Sequence, residues 1–293
     1  MRIALHGRDT RSTSTSFIEK LIEHLHERGV DVIVSEKLLS RIPARDRKKL
    51  KLKSFNHKEG LAKVDFFMSV GGDGTLLESV TYVAKSGIPI LGINTGRMGF
   101  LATTHRNDVH QAIEDLLEGN FNIDERILLR LSSNSKKDLF DNIPFALNDL
   151  TIMKKDSSSM ITVHVNVDGE LLNSYWADGI IVATPTGSTG YSLSCGGPLV
   201  YPKSDSFVIT PVSPHNLTAR PIVISDNSEI TFSIEGRSKK FLISLDSRYE
   251  TVDGTVQLKV KKEKFTIKLV LLPGYHYFKT LRQKLNWGLD VRN

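Results

Sequence analysis

The chain contains one cysteine, Cys195, in 293 residues. No intramolecular disulfide can form, so the fold must stand on its core, and nothing asks for an oxidising compartment. No stretch approaches the roughly 20 apolar residues of a membrane span, and the opening Met1-Arg2-Ile3-Ala4-Leu5-His6-Gly7-Arg8 lacks the apolar centre of a signal peptide. A cytoplasmic protein without membrane contact is the expectation. Two nucleotide signatures are also missing: there is no G-x-x-x-x-G-K-[ST] with its phosphate lysine, and no G-x-G-x-x-G dinucleotide fingerprint. Internal repeats and low-complexity tracts are absent as well.

What is present is an ordinary globular composition, 40% hydrophobic and 25% charged, with a length that suits two domains. Thirty-nine basic and 33 acidic residues leave a net charge of +6, which favours anionic ligands without choosing among them. Residues 41–53 hold Arg41, Arg45, Arg47, Lys48, Lys49, Lys51 and Lys53 with only Phe55 as a neighbouring aromatic. A single-strand binding platform interleaves aromatics with cations, so a solvated loop or helix is expected and nucleic acid is not expected as a partner.

The chain is organised around residues 64–84. Val64-Asp65-Phe66-Phe67-Met68-Ser69-Val70 reads as a buried strand, Gly71-Gly72-Asp73-Gly74-Thr75 as a tight turn, and Leu76, Leu77, Val80, Val83 and Ala84 recur at helical spacing. Thr75 and Glu78 match a capping box, which predicts a helix starting at Thr75. Glycines before a helix N-terminus leave backbone N–H groups bare at the positive end of the helix dipole, an arrangement that holds phosphate. An acid in such a turn repels phosphate. Either Asp73 is merely solvated, or it binds a metal, receives a hydrogen bond from a substrate hydroxyl, or takes that hydroxyl's proton. The last three tasks belong to phosphoryl transfer.

Around this centre, residues 3–5 and 30–34 read as strands flanking a helix with Phe17, Ile18, Leu21, Ile22 and Leu25 on one face and Gly29 as its stop. His24 and His26 read as surface residues. Residues 88–93 form another buried strand ending in Asn94-Thr95-Gly96-Arg97-Met98-Gly99-Phe100-Leu101, so two successive strands end in glycine-rich loops. In an open parallel sheet such loops share one cleft. Asn107 or Asp108 is placed to cap the next helix, which stops at Gly119. From about Phe121 the pattern turns to short, alternating, β-branched runs at 127–131, 146–153, 161–167, 179–183, 222–224, 229–234, 241–245, 255–260 and 266–271. Residues 279–289 look helical again, with Leu281, Leu285 and Leu289 spaced to pack on the first domain.

The second half has its own unusual stretch. Asp178-Gly179 begins a buried strand that runs into Thr184-Pro185-Thr186-Gly187-Ser188-Thr189-Gly190-Tyr191-Ser192-Leu193-Ser194-Cys195-Gly196-Gly197-Pro198, rich in short donors and acceptors, with Tyr191 as a stacking surface. Asn148-Asp149 suits vicinal ribose hydroxyls or a plain turn. In Pro214-His215-Asn216-Leu217-Thr218-Ala219-Arg220-Pro221, His215 is a phosphate-binding candidate or a structural histidine.

Taken in order, Gly71 to Thr75, residues 94–101, Asn148-Asp149, residues 178–198 and residues 214–221 resemble the NAD kinase family of bacterial type over nearly the whole chain. Gly-Gly-Asp-Gly-Thr alone also occurs in diacylglycerol and sphingosine kinases and phosphofructokinases; the 178–198 block is far more specific. The resemblance implies a Rossmann-like α/β domain (1–122 plus 272–293) and a β-sandwich-like dinucleotide-binding domain (123–271), the C-terminal segment returning to the first domain. It implies a dinucleotide held between them and a homodimer or homotetramer. The implied reaction moves the γ-phosphoryl of ATP to the 2′-hydroxyl of the adenosine ribose of NAD, with Mg²⁺ or another divalent ion. Carried over by position, Asp73 would accept the proton, with Gly72 and Gly74 near phosphate and Phe100 against the adenine. Asn148 and Asp149 would bind ribose hydroxyls, and Asp178 would sit near the nicotinamide amide. Thr186, Thr189, Gly190, Tyr191, Ser192, Leu193 and Ser194 would line the rest. No side chain is expected as a metal ligand.

Three positions depart from the family's commonest pattern. Asp149 stands where many members have Glu, Gly190 replaces Ala, and Leu245-Asp246-Ser247-Arg248 lies where Asp-Gly-Gln is expected, so Asp246 receives no role. The rivals are a lipid kinase, for which the hydroxyl-rich 184–194 block is a poor lining, and a catalytically silent NAD(P)-binding sensor, which has no use for Asp73.

Overall fold

The computed structural model describes residues 1–8, 15–56, 60–96, 99–135, 137–155 and 159–287. The chain divides into two units, residues 1–125 with 267–293 and residues 126–266.

Buried runs separated by helices build the first unit. In chain order its elements are β1 (Arg2–Gly7), α1 (Thr15–Glu27), β2 (Asp31–Ser35), α2 (Glu36–Leu39), α3 (Ala44–Lys49), β3 (Lys53–Phe55), β4 (Phe66–Gly71), α4 (Asp73–Val83), β5 (Ile90–Asn94), β6 (Thr104–His105), α5 (Val109–Glu118) and β7 (Asn122–Arg126). Strands β3-β2-β1-β4-β5 run parallel in that order and β6 adds to β5. Parallel strands need crossover connections, supplied here by helices that cover the sheet, which is why these strands read as near-continuous apolar runs. Ile18, Leu21, Ile22 and Leu25 of α1 and Val109, Ile113 and Leu116 of α5 close the core over Leu5, Val34, Met68 and Ile93. Asp108 occupies the N-cap of α5 without a side-chain hydrogen bond; His105 Nδ1 instead accepts from Asn107 N at 3.3 Å. The expected capping role of Asn107 or Asp108 is therefore corrected. Within the basic segment, Arg47 binds the carbonyls of Ile42 and Ser40 and Lys49 binds Glu23, on the exposed helix α3.

The second unit is a sandwich of two six-stranded sheets. Its strands are β8 (Leu129–Ser133), β9 (Phe145–Ala146), β10 (Asp149–Lys154), β11 (Ile161–Val167), β12 (Glu170–Ala177), β13 (Gly179–Ala183), β14 (Ser206–Val212), β15 (Ile222–Ser225), β16 (Ile230–Glu235), β17 (Lys240–Leu245), β18 (Arg248–Asp253) and β19 (Leu258–Lys262), with the short α6 (Tyr191–Ser194) after β13. One sheet runs β15-β14-β13-β10-β17-β18 and the other β12-β11-β16-β19-β8-β9. Ile180, Val182, Phe207 and Ile243 of the first interdigitate with Val163, Phe232 and Val260 of the second.

The chain then returns. The strand β20 (Ile267–Leu271), expected among the β-rich runs, lies in the first unit's sheet between β5 and β7, with Leu269 beside Ile90 in parallel. Helix α7 (Tyr277–Leu285) follows in the same unit and buries Leu281, while Leu289 lies outside the described residues. Among the described residues no helix is long and apolar enough to cross a membrane.

Candidate active site

The turn after β4 builds the first part of the site. Helix α4 begins at Asp73 with Gly72 as its N-cap, so the expected start at Thr75 is corrected. Thr75 N donates to Gly72 O at 2.9 Å inside the first turn, and Glu78 reaches Arg8 and Lys37 rather than completing a capping box. The Asp73 carboxylate turns to the neighbouring loop. Its Oδ2 accepts from Phe100 N at 2.7 Å, and its Oδ1 accepts from Leu101 N at 3.1 Å and Ala102 N at 2.9 Å. Gly99 is required there, because a Cβ on it would overlap the Asp73 carboxylate. Asn94 completes the junction: its Oδ1 accepts from Gly96 N and its Nδ2 donates to Ala102 O, while Thr95 N donates to Gly71 O. The two glycine-rich loops, read from the sequence as facing one cleft, are hydrogen-bonded to each other. Arg97 and Met98 lie outside the described residues. Phe100 is half-buried, with Lys284 Nζ of α7 at 6.0 Å from its ring centre.

In the second unit Asn148 and Asp149 are held from two sides. Asp246 accepts from the three successive amides of Leu147, Asn148 and Asp149 at 3.0, 2.8 and 3.2 Å. Opposite, Thr184 N donates to Asn148 O at 2.8 Å, Thr184 Oγ1 donates to Leu147 O at 2.5 Å, and Gly187 packs so closely on Asn148 O that no Cβ would fit. Asp149 is 7% exposed. Burial and then the Asp246 charge push its carboxyl up to about 7. Burial also raises Asp246, against its three amides and Arg248. The side-chain oxygen of Asn148 is buried with no hydrogen-bond partner. A Cβ on Gly190 would stand 3.8 Å from Asp149 Oδ2 and 3.9 Å from Asn148 Nδ2, so the missing methyl widens the space beside this pair.

The remaining sequence-predicted residues of this unit are spread over several places. Thr186 is buried against Arg126 Nη1 at 3.2 Å, Thr189 Oγ1 donates to Thr186 O, and Ser192 Oγ pairs with Thr210 Oγ1 at 2.8 Å. Tyr191 is exposed on α6, its hydroxyl raised by burial and then by Cys195, Asp178 and Asp149. Leu193 is half-buried and Ser194 exposed. Asp178 is not free, because Lys154 Nζ lies 2.5 Å from its Oδ1. His215 is exposed on its loop, its N–H donating to Trp176 O and its ring 4.5 Å from the Trp176 ring. Among the described residues no hydrogen bond or ring contact ties it to the Asn148-Asp149 strap.

Sequence reasoning missed Asp246, Arg126 and Lys154. Asp246 corrects the decision to give it no role: it shapes the strap that carries Asn148 and Asp149. Its only local signal was the acid in Leu245-Asp246-Ser247-Arg248. Among the described residues no group of three or more His, Cys, Asp or Glu side chains could hold a metal.

Two expectations follow for stability. Gly99→Ala lowers the melting temperature by roughly 3 °C or more, as expected for the loss of charge-assisted hydrogen bonds. Gly72→Ala leaves it unchanged, because nothing lies within 4 Å of a Cβ there; equal melting of all three proteins would contradict the Asp73 anchor. The second concerns pH. Asp149 titrates in the fold above its unfolded value of 3.8, so its neutral form is favoured and stability is lost as pH rises from about 4 through 7. Asp149→Asn is therefore expected to gain melting temperature relative to the parent at pH 8 compared with pH 5, by about 3 °C; a pH-independent difference would overturn the assignment.

Comparison with known proteins identifies the family. The model of the ATP-NAD kinase N-terminal domain matches residues 3–121, and that of the ATP-NAD kinase C-terminal domain matches residues 147–271. The NAD kinase of Cytophaga hutchinsonii is 50% identical over 297 residues, covering 100% of both chains. The NAD kinase of Bacteroides fragilis (strain ATCC 25285) is 41% identical over 293 residues, again covering 100% of both. Among solved structures, an NAD kinase from Archaeoglobus fulgidus in complex with ATP superposes with a TM-score of 0.74 at 26% identity, over 98% of this chain and 99% of that one. Yeast NADH kinase complexed with NADH shares the fold, with a TM-score of 0.89 at 23% identity over 99% of this chain and 89% of that one. Two family models that together span most of the chain, and a relative matched along its full length, lead to one conclusion: the chain belongs to the NAD kinase family.

Proposed function

We propose that the protein transfers the γ-phosphoryl of ATP to the 2′-hydroxyl of the adenosine ribose of NAD, giving NADP. Besides family membership, the observation that supports this most is the Asn148-Asp149 strap. A buried, unpartnered Asn148 oxygen beside a carboxyl near neutrality forms a ready pair of hydroxyl-binding groups. Nothing found favours a lipid kinase or a silent sensor.

A ribose hydroxyl is a poor nucleophile at neutral pH, and a positioned carboxylate that takes its proton contributes typically about a hundred- to ten-thousandfold. Asp73 is assigned that task. A carboxylate offers about four lone-pair sites, and the amides of residues 100–102 use two on Oδ1 and one on Oδ2. Oδ2 keeps a site for the hydroxyl. The first turn of α4, with Gly72 and Gly74, leaves amides for phosphate, and Phe100 offers a face for adenine. Thr186 and residues 189–194 line the dinucleotide site with Asp178. The divalent ion, Mg²⁺ or another, is proposed to enter with the donor, as MgATP, on the family resemblance. A cytoplasmic homodimer or homotetramer is proposed on the family resemblance alone.

The test is NADP formation from NAD and MgATP by the purified protein and by Asp73→Asn. The parent is expected to make NADP, and the variant to turn over at least about a hundredfold more slowly. No NADP from the parent would overturn the kinase; equal rates would remove Asp73 from its role.

A further inference from the structure

The proposed reaction needs a cation for the donor's phosphates, and one cluster in the first unit offers it. His6, at the end of β1, is fully buried, with Nδ1 2.8 Å from Ser35 Oγ and Nε2 3.4 Å from Glu78 Oε2. Arg8, just past β1, places its Nε on Glu78, and Lys37 of α2 places Nζ 2.9 Å from the other Glu78 oxygen. Glu78 lies one turn along α4 from Gly74, on the same helix face.

Charge and geometry make this more than a surface ion pair. One carboxylate meets two permanent cations, so the cluster keeps a net positive charge. Burial alone would raise the Glu78 carboxyl; His6, Lys37 and Arg8 outweigh it and hold the group well below the usual carboxylate range. The Glu78 side chain is 15% exposed and that of Arg8 37%. Arg41 Nη1 donates to Arg8 O at 2.8 Å, fixing the backbone at residue 8. Among the described residues neither terminal nitrogen of Arg8 has a hydrogen-bond partner. A Cβ on Gly74 would stand 3.7 Å from Arg8 Nη1. Among the described residues the guanidinium is thus held through Nε, while Nη1 stands beside the glycine turn at the carboxyl end of a parallel sheet, where ligands of such sheets bind. The terminal N–H groups of a guanidinium lie in one plane and match the oxygens of a phosphate.

We infer that Arg8, oriented by Glu78 and seconded by Lys37, binds the phosphates of the phosphoryl donor at the Gly72-Asp73-Gly74 turn. The inference rests on the kinase reading above. Arg8 is a substrate-binding residue here, and Glu78 a positioning residue acting through it.

Steady-state kinetics of the full chain with NAD and MgATP, paired with calorimetric titration of MgATP, test it. Arg8→Ala is expected to raise the KM and Kd for ATP about 10- to 100-fold, the loss expected for one charge-assisted contact, with the KM for NAD within about twofold. Arg8→Lys recovers part of the loss, and Glu78→Gln raises the ATP KM by a smaller factor without moving the NAD KM. Unchanged ATP affinity in Arg8→Ala, or equal rises in both KM values together with a lower melting temperature, would overturn the inference. A parent that binds MgATP through Arg8 but forms no NADP would instead sink the kinase reading and leave the site standing.

Discussion

Both halves of the molecule depend on one device, a carboxylate that receives three successive backbone amides. Asp73 gathers residues 100–102 and Asp246 gathers residues 147–149. Hydrogen bonds to a charged group are worth about 1.5–3 kcal/mol each, enough for three to fix a loop that has no regular structure. In the first unit the device joins the ends of β4 and β5. In the second it presents Asn148 and Asp149 at the start of β10. Glycine is needed wherever such a junction brings backbone against side chain, as Gly99 does at Asp73.

The two units use acids in opposite surroundings. Asp149 is buried beside a second acid and titrates near neutrality, so it is able both to donate to and to accept from a hydroxyl. Asp73 meets only N–H donors among its described hydrogen-bond partners, so it serves there as a hydrogen-bond acceptor. Glu78 serves neither purpose: surrounded by His6, Arg8 and Lys37, it fixes cations in place.

Much of the fold was legible because hydrophobic period is a local property. The runs at 161–167 and 179–183 became β11 and β13 with those bounds, and Gly29 and Gly119 end their helices in left-handed conformation. What escaped was non-local or interrupted. Pro211 argues against a strand, yet β14 is buried between β13 and β15. Ile267–Leu271 looks like its β-rich neighbours, and only pairing with β5 assigns it to the first sheet. The same holds for the site. Glycine turns and the Asn148-Asp149 pair announce themselves in sequence, whereas Asp246 bonds amides 99, 98 and 97 residues away. Arg8 and Glu78, 70 residues apart, meet only in the fold.

The most direct test of the account is a crystal structure with NAD bound. It predicts the 2′-hydroxyl of the adenosine ribose within about 2.6–3.2 Å of Asp73 Oδ2, with the amides of residues 100–102 still on the carboxylate. A 2′-hydroxyl held by another group, with Asp73 enclosed by its amides, would contradict it.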